Sequence, residues 1–159
     1  MDLVGDGPER IEYETWAQKQ GLSASIKFWG WQPKPELYEF YGTAHLLIFP
    51  SKTEGWPKVI SEAMAFGVVP LAGAVSSIPQ TLQQTGAGVA LPPDDVDAFV
   101  QEILCYIHDP DSWRIASRAG LTMAENFTYQ KYLQAVRDLF LQTWNVQLPG
   151  SSAADAPLD

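Results

Sequence analysis

The chain has 159 residues, the length of one average domain, and its 46% hydrophobic, 18% charged and 12% aromatic residues exclude a disordered polypeptide. Ten Lys and Arg against nineteen Asp and Glu leave a net charge of -9, which repels phosphate backbones and anionic lipid, so no nucleic-acid or membrane-surface partner is expected. The single cysteine, Cys105, excludes an internal disulfide framework.

Taken in chain order, the punctuation is regular. Leu3-Val4 is a short apolar stub that runs into Gly5-Asp6-Gly7-Pro8; this acidic, glycine-broken start does not read as a signal peptide. Pro8 opens a helix to about Gln20, which Gly21 stops. Ser25 to Trp29 alternates as a strand does, and Pro35 to Tyr41 reads as a short helix ended by Gly42. His45 to Phe49 is a continuous apolar run of strand length, the pattern of a central parallel strand covered on both faces. Pro57 to Phe66 is the next helix and Val68 to Leu71 the next strand, with Pro70 arguing against a central place. A short helix from Pro79 to Gln84 precedes a strand at Val89 to Leu91.

Three helical segments follow: Asp95 to His108, Asp111 to Glu125 and Thr128 to Trp144. Residues 147–159, rich in Pro, Gly, Ser, Ala and Asp, have nothing to bury and are expected to form a disordered tail. The longest apolar stretch, Ala63 to Val75, is broken by Gly67, Pro70 and Gly73, so no integral membrane segment is expected, and a cytoplasmic location is. Strand-helix alternation with short joints predicts an α/β fold: a doubly wound parallel sheet over residues 1–146 with closing C-terminal helices. The first strand lies directly at Met1, as in a domain whose opening element is missing.

The segment expected to carry chemistry runs from Ser51 to Ala65. It leaves the most apolar strand and opens a helix, which places it at the carboxyl edge where open α/β sheets bind ligands. Gly55 permits a tight turn and Pro57 suits the first helical position. The N–H groups of Lys58, Val59 and Ile60 would then point out of the helix start toward a phosphate or a hydroxyl oxygen, and Lys58 adds a cation there. Glu54 in the turn and Glu62 within the helix do not share a face and could hold opposite ends of an extended ligand, since carboxylates accept paired hydrogen bonds from vicinal hydroxyls. From spacing alone a structural alternative stands equally: Glu54 complements the helix dipole and Glu62 is a solvated helix residue.

This segment, from Glu54-Gly55-Trp56-Pro57 to Glu62-Ala63-Met64-Ala65, resembles the E-x7-E signature of the group 1 (family 4) retaining glycosyltransferases. The order of further motifs is similar to that family across residues 3–140: Val4-Gly5-Asp6-Gly7-Pro8, then Ile26 to Gly30, Tyr41 to Ser51, Pro92 to Asp95, and Phe127-Thr128. The resemblance implies a Rossmann-like domain, the C-terminal, donor-binding half of a GT-B fold, which binds a nucleotide-diphosphate sugar and transfers the sugar with retention and without a metal. By the same resemblance Glu54 contacts hydroxyls of the donor sugar; Glu54 and Lys58 are the candidate catalytic residues, Lys58 as the one cation placed to stabilise the charge of the leaving diphosphate. Gly55, Trp56, Pro57 and Val59 hold sugar and diphosphate, Glu62 the ribose, and Gly30 and Trp31 (or Trp29) approach the nucleobase. The family's earlier strand with its Arg and Lys, and the acceptor domain, have no counterpart in the sequence, which makes a separate acceptor-binding domain a candidate partner. The nucleotide sugar is a substrate, and no cofactor is implied. A non-catalytic nucleotide-sugar-binding module, or a partner subunit of a separate acceptor domain, is the alternative.

Other signals have plainer readings. Asp95-Val96-Asp97 and Asp109-Pro110-Asp111 have the D-x-D spacing of a metal site but stand at helix starts, where capping is the expected role. No His, Cys and carboxylate group has metal-ligand spacing. Cys105, among Ile103, Leu104 and Ile107, reads as a core thiol, and Trp113, Phe127, Tyr132, Phe140 and Trp144 as packing for the closing helices.

Overall fold

A computed structural model describes residues 1–149 of the chain; the predicted tail lies outside the described residues from Gly150 onward. Helices and strands alternate as β1 (Asp2–Val4), α1 (Arg10–Lys19), β2 (Lys27–Gly30), α2 (Lys34–Thr43), β3 (Leu46–Phe49), α3 (Lys58–Ala65) and β4 (Val69–Gly73). They continue as α4 (Ile78–Thr85), β5 (Val89–Leu91), α5 (Val96–His108), α6 (Pro110–Ala124), a 3-10 turn (Glu125–Phe127) and α7 (Tyr129–Trp144). All strand pairing is parallel, as the sequence predicts, but it falls into two sets: β1 beside β2, and β3-β4-β5 in that order.

β4 is buried along its whole length and is the middle strand of its set, contrary to the expectation drawn from Pro70. The hydrogen bonds explain how the proline is tolerated. Val69 donates to His45 of the β3 side and Ala74 donates to Leu91 of the β5 side, so even-numbered residues of β4 turn toward β5. Pairing with β5 begins only at Leu71 opposite Val89, so the N–H that Pro70 lacks has no ladder partner to satisfy. Gly88 sits against the proline there: a Cβ on it would lie 2.3 Å from the Pro70 carbonyl oxygen and 2.8 Å from the ring.

The core forms on β4. Ile60, Ala63 and Met64 of α3 recur at helical spacing and are fully buried, Ile60 and Met64 against Ala72, Ile78, Leu82 and Ala87, and Ala63 against Tyr41 and Val68. Each large apolar side chain buried in this way contributes roughly 1.5–3 kcal/mol, which fixes the axis of α3 firmly. α6 closes over α3, with Gly120 against Met64 and the buried Ser117 hydroxyl donating to the Gly67 carbonyl at 2.7 Å. At the start of β3, the Trp113 indole N–H donates to the His45 carbonyl at 3.0 Å and its ring packs on the imidazole.

Two packing expectations are corrected. Cys105 is exposed: α5 faces inward along Phe99, Ile103 and Tyr106, and Cys105 lies about 100° around the helix from Tyr106. No residue of α7 is fully buried: Leu133, Val136 and Phe140 form a half-buried stripe, Tyr132 and Trp144 are exposed, and the Phe140 ring packs on Trp144. The capping expectation is met, since Asp95 accepts from Ala98 and Asp109 accepts from Asp111 and Ser112.

Candidate functional site

The loop between β3 and α3 carries most of the proposed site, and each end is held by packing. The pairing of β3 with the buried β4 and the apolar burial of α3 fix where the chain leaves and re-enters regular structure, and Gly73, at the end of β4, lets the loop pass close. A Cβ on Gly73 would lie 2.2 Å from the Ser51 carbonyl oxygen. Within the loop Ser51 donates its hydroxyl to Glu54 Oε1 at 3.1 Å, which orients a half-buried carboxylate. Lys52 is ion-paired with Asp94 on the loop after β5.

Pro57 stands one position before the first helical residue, at the N-cap, and not at the first helical position as expected; its ψ of 128° is extended and α3 begins at Lys58. The Ile60 N–H is also not free. It donates to the Pro57 carbonyl at 3.1 Å in a tightened first turn, leaving the Lys58 and Val59 N–H groups as the outward-facing donors. No side chain caps α3 and no carboxylate occupies its first turn. By contrast α5, α6 and α7 are capped by Asp95, Asp109 and Thr128. In a chain of net charge -9, α3 keeps the positive end of its dipole uncompensated, with Lys58 exposed beside it.

Ser77, which the sequence reading did not single out, joins this centre. It precedes α4 and donates its hydroxyl to the Gly55 carbonyl at 3.2 Å, so the start of α4 abuts the loop that opens α3. The signal was available: Ser76-Ser77 follows β4 at the same carboxyl edge of the sheet. Trp56 stacks on Phe127, with centroids 5.1 Å apart and planes 5° apart, and its indole N–H is buried with no acceptor among the described residues.

Glu62 faces α2. Its carboxylate lies 3.7 Å from the Lys34 ammonium at the start of α2, and its charge, together with burial as the larger cause, pushes the nearby Tyr41 hydroxyl up to about 12. Glu62 therefore opens toward the segment Trp31-Gln32-Pro33 that leads into α2, while Glu54 stays in the loop before α3. Of the aromatic pair near that segment, Trp29 is engaged: its N–H donates to Asp2 at 2.7 Å, Phe40 meets it edge-on and Lys27 lies over its ring. Trp31 is 72% exposed and shares a cavity with Val59. Gly30 is buried, with its carbonyl accepting from Gly5 and its outer side filled by the Arg10 guanidinium, so the surface there is offered by Trp31 and Gln32.

This arrangement can be set against known proteins. The family model for glycosyl transferases group 1 matches residues 1–123. The chain belongs to this family. It is 37% identical over 106 residues to the O-antigen chain mannosyltransferase B of Escherichia coli, covering 66% of this chain and 27% of that protein. It is 27% identical over 138 residues to the D-inositol 3-phosphate glycosyltransferase of Segniliparus rotundus, covering 87% of this chain and 30% of that one. Among solved structures, sucrose-phosphate synthase from Thermosynechococcus elongatus superposes with a TM-score of 0.73 at 27% identity, over 89% of this chain and 39% of that one. The Anabaena HepE protein in complex with UDP superposes with a TM-score of 0.78 at 20% identity, over 89% of this chain and 40% of that one, which shows a shared fold. The chain thus spans between 27% and 40% of these relatives' lengths.

Proposed function

We propose that residues 1–146 are the donor-binding unit of a glycosyltransferase. It binds a nucleotide-diphosphate sugar for retaining, metal-independent transfer of the sugar to a hydroxyl acceptor. The observation that carries this reading is the uncapped start of α3 inside the E-x7-E segment, where the Lys58 and Val59 N–H groups and the Lys58 ammonium face outward between two carboxylates. The HepE structures holding UDP and UDP-glucose support a nucleotide sugar as the ligand class.

In this reading Glu54, oriented by Ser51, accepts hydrogen bonds from the sugar hydroxyls, and Gly55 to Val59 present backbone to the sugar and diphosphate. Glu62 takes the ribose hydroxyls, and the exposed face of Trp31 takes the base. As the bond from the anomeric carbon to the diphosphate breaks, its electron pair passes to the leaving diphosphate. The helix dipole and Lys58 stabilise that charge with donors that are already in place. The first carboxylate of each D-x-D segment, Asp95 and Asp109, caps a helix. The share of the relatives' length that the chain covers supports a further expectation: transfer needs an acceptor-binding unit, and residues 1–159 bind donor without turning it over.

Calorimetry with UDP-, GDP- and ADP-sugars and the matching free nucleotides tests the roles. For the nucleotide that binds, Glu54→Gln should weaken the sugar nucleotide by about 1.5–3 kcal/mol and leave the free nucleotide nearly unchanged, whereas Glu62→Gln should weaken both. Equal losses for both ligands in both variants would overturn the assignment.

A further inference from the structure

The turn that leaves β2, Gly30-Trp31-Gln32-Pro33, gives Trp31 little of its own to rest on. Trp31 makes none of the ring contacts or hydrogen bonds that hold Trp29 in place. The far end of the turn is fixed, because Gln32 donates its side-chain amide to the Trp29 carbonyl at 2.8 Å and Pro33 stands at the N-cap of α2. The near end is Gly30, whose φ of +71° lies in the left-handed region. A glycine enters and leaves that region freely, so the direction of the Trp31 ring depends on what holds Gly30.

Two contacts hold it. The Gly5 N–H donates to the Gly30 carbonyl at 2.7 Å. Against the outer face lies the Arg10 guanidinium, so close that a Cβ on Gly30 would stand 2.5 Å from Nη1 and 3.6 Å from Cζ. Arg10 is half-buried and is itself held in three directions: Nε donates to Glu14 Oε1 at 2.8 Å, Nη1 to Asp6 Oδ2 at 3.5 Å and Nη2 to the Phe28 carbonyl at 3.4 Å. Asp6 in turn accepts from the Gly7 N–H at 2.9 Å, so one side chain of α1 joins the loop after β1 to the end of β2. A planar fork reaches several acceptors at set angles, which a lysine ammonium does not. Two carboxylates and a carbonyl surround the guanidinium, so it is committed within the fold and is not offered as a cation to a diphosphate.

We propose that Arg10 is a positioning residue for nucleobase recognition: packed on Gly30 from the α1 side, it holds the turn in the left-handed conformation that presents the Trp31 ring to the base. This rests on the reading of Trp31 as the base-facing surface. Without the guanidinium the outer face of Gly30 is unpacked, and the glycine regains conformations that carry Trp31 elsewhere. The base then stacks on a ring that has first to be ordered, a cost taken from its binding. The loss falls on the base alone, because Arg10 bonds neither Glu62 nor the start of α3, the groups assigned to ribose and diphosphate.

Calorimetry on the 159-residue chain tests it, with UDP, GDP and ADP and with ribose 5-diphosphate, which lacks the base. For the nucleotide that binds, Arg10→Gln should weaken affinity by about fivefold or more, the lower end of what a base–aromatic stack contributes, and should shift ribose 5-diphosphate by less than about twofold. Arg10→Lys keeps the charge without the fork and should not restore binding. In a Trp31→Ala background, which itself loses affinity for the base, Arg10→Gln should cost less than about twofold more, as for two residues acting through one contact. Without any ligand, exchange of the Gly5 amide should quicken by about tenfold in Arg10→Gln. Should that variant fail to fold, Glu14→Ala loosens the same guanidinium and should give the same base-selective loss. Equal losses for nucleotide and ribose 5-diphosphate, full recovery by Arg10→Lys, or unchanged Gly5 exchange each overturn the positioning role. Nucleotide binding that Trp31→Ala leaves intact overturns the reading of Trp31, and the role of Arg10 with it; a loss from Trp31→Ala but none from Arg10→Gln overturns the role of Arg10 alone.

Discussion

Substituting Gly73 by alanine tests whether the close passage of the β3–α3 loop over the end of β4 sets the site. The new Cβ would start 2.2 Å from the Ser51 carbonyl oxygen, 3.2 Å from its carbonyl carbon and 3.3 Å from Pro93 Cβ. Real Cβ contacts are essentially never below 3.0 Å, so the loop backbone must retreat by about 1 Å. β4 cannot give way instead, because it is fully buried between β3 and β5. Overpacking of this kind costs about 1–3 kcal/mol. The displaced residue is also the one whose hydroxyl orients Glu54, so sugar-nucleotide affinity should fall further than free-nucleotide affinity. Denaturant unfolding and calorimetry read the two effects. Gly42→Ala serves as the control of opposite sign: Gly42 lies within α2 with nothing within 4 Å of an added Cβ, so alanine should stabilise by about 0.5–1 kcal/mol. Gly73→Ala that unfolds at the same denaturant concentration as the parent and binds donor unchanged would refute the reasoning.

Ser117→Ala removes the buried hydrogen bond to the Gly67 carbonyl and should destabilise the chain by about 1–3 kcal/mol in chemical denaturation, with no specific effect on donor affinity once the protein is folded. Asp109, bonded first by the Ser112 hydroxyl and then by the Ser112 and Asp111 N–H groups, is held below its ordinary value of 3.8. Its folded value is depressed, so its contribution is present above about pH 4 and is lost as pH falls through the lower folded value. Asp109→Ala should therefore flatten the acid limb of a stability-versus-pH curve measured by urea melts. Radiolabelled donor assays should detect no sugar transfer by residues 1–159 alone, because an unheld acceptor forfeits an orientation effect worth up to roughly 7–11 kcal/mol; robust transfer would contradict the donor-unit reading.

The sequence alone determined the order and kind of the secondary elements and the position of the site loop. Those depend on local chemistry: proline and glycine at the joints, apolar spacing of 3.6 in α3, and the apolar run of β3. The E-x7-E segment and the motifs around it were likewise legible, because they are short and contiguous. Pairwise meetings across long separations were decided only in three dimensions. Ser77 reaches Gly55, Lys34 reaches Glu62, and Trp56 finds Phe127, because strands and helices distant in the chain are stacked side by side. The same cause exposed Cys105 and left the apolar stripe of α7 only half-buried, since apolar spacing says which face could be covered and not how completely it is covered. Pro70 sits in a middle strand because β5 starts one residue later, a matter of register between strands. β3 is the sharpest case: its composition suits a strand flanked on both sides, and only the sheet order reveals that one flank stands open, because pairing depends on the neighbour and not on the strand's own residues.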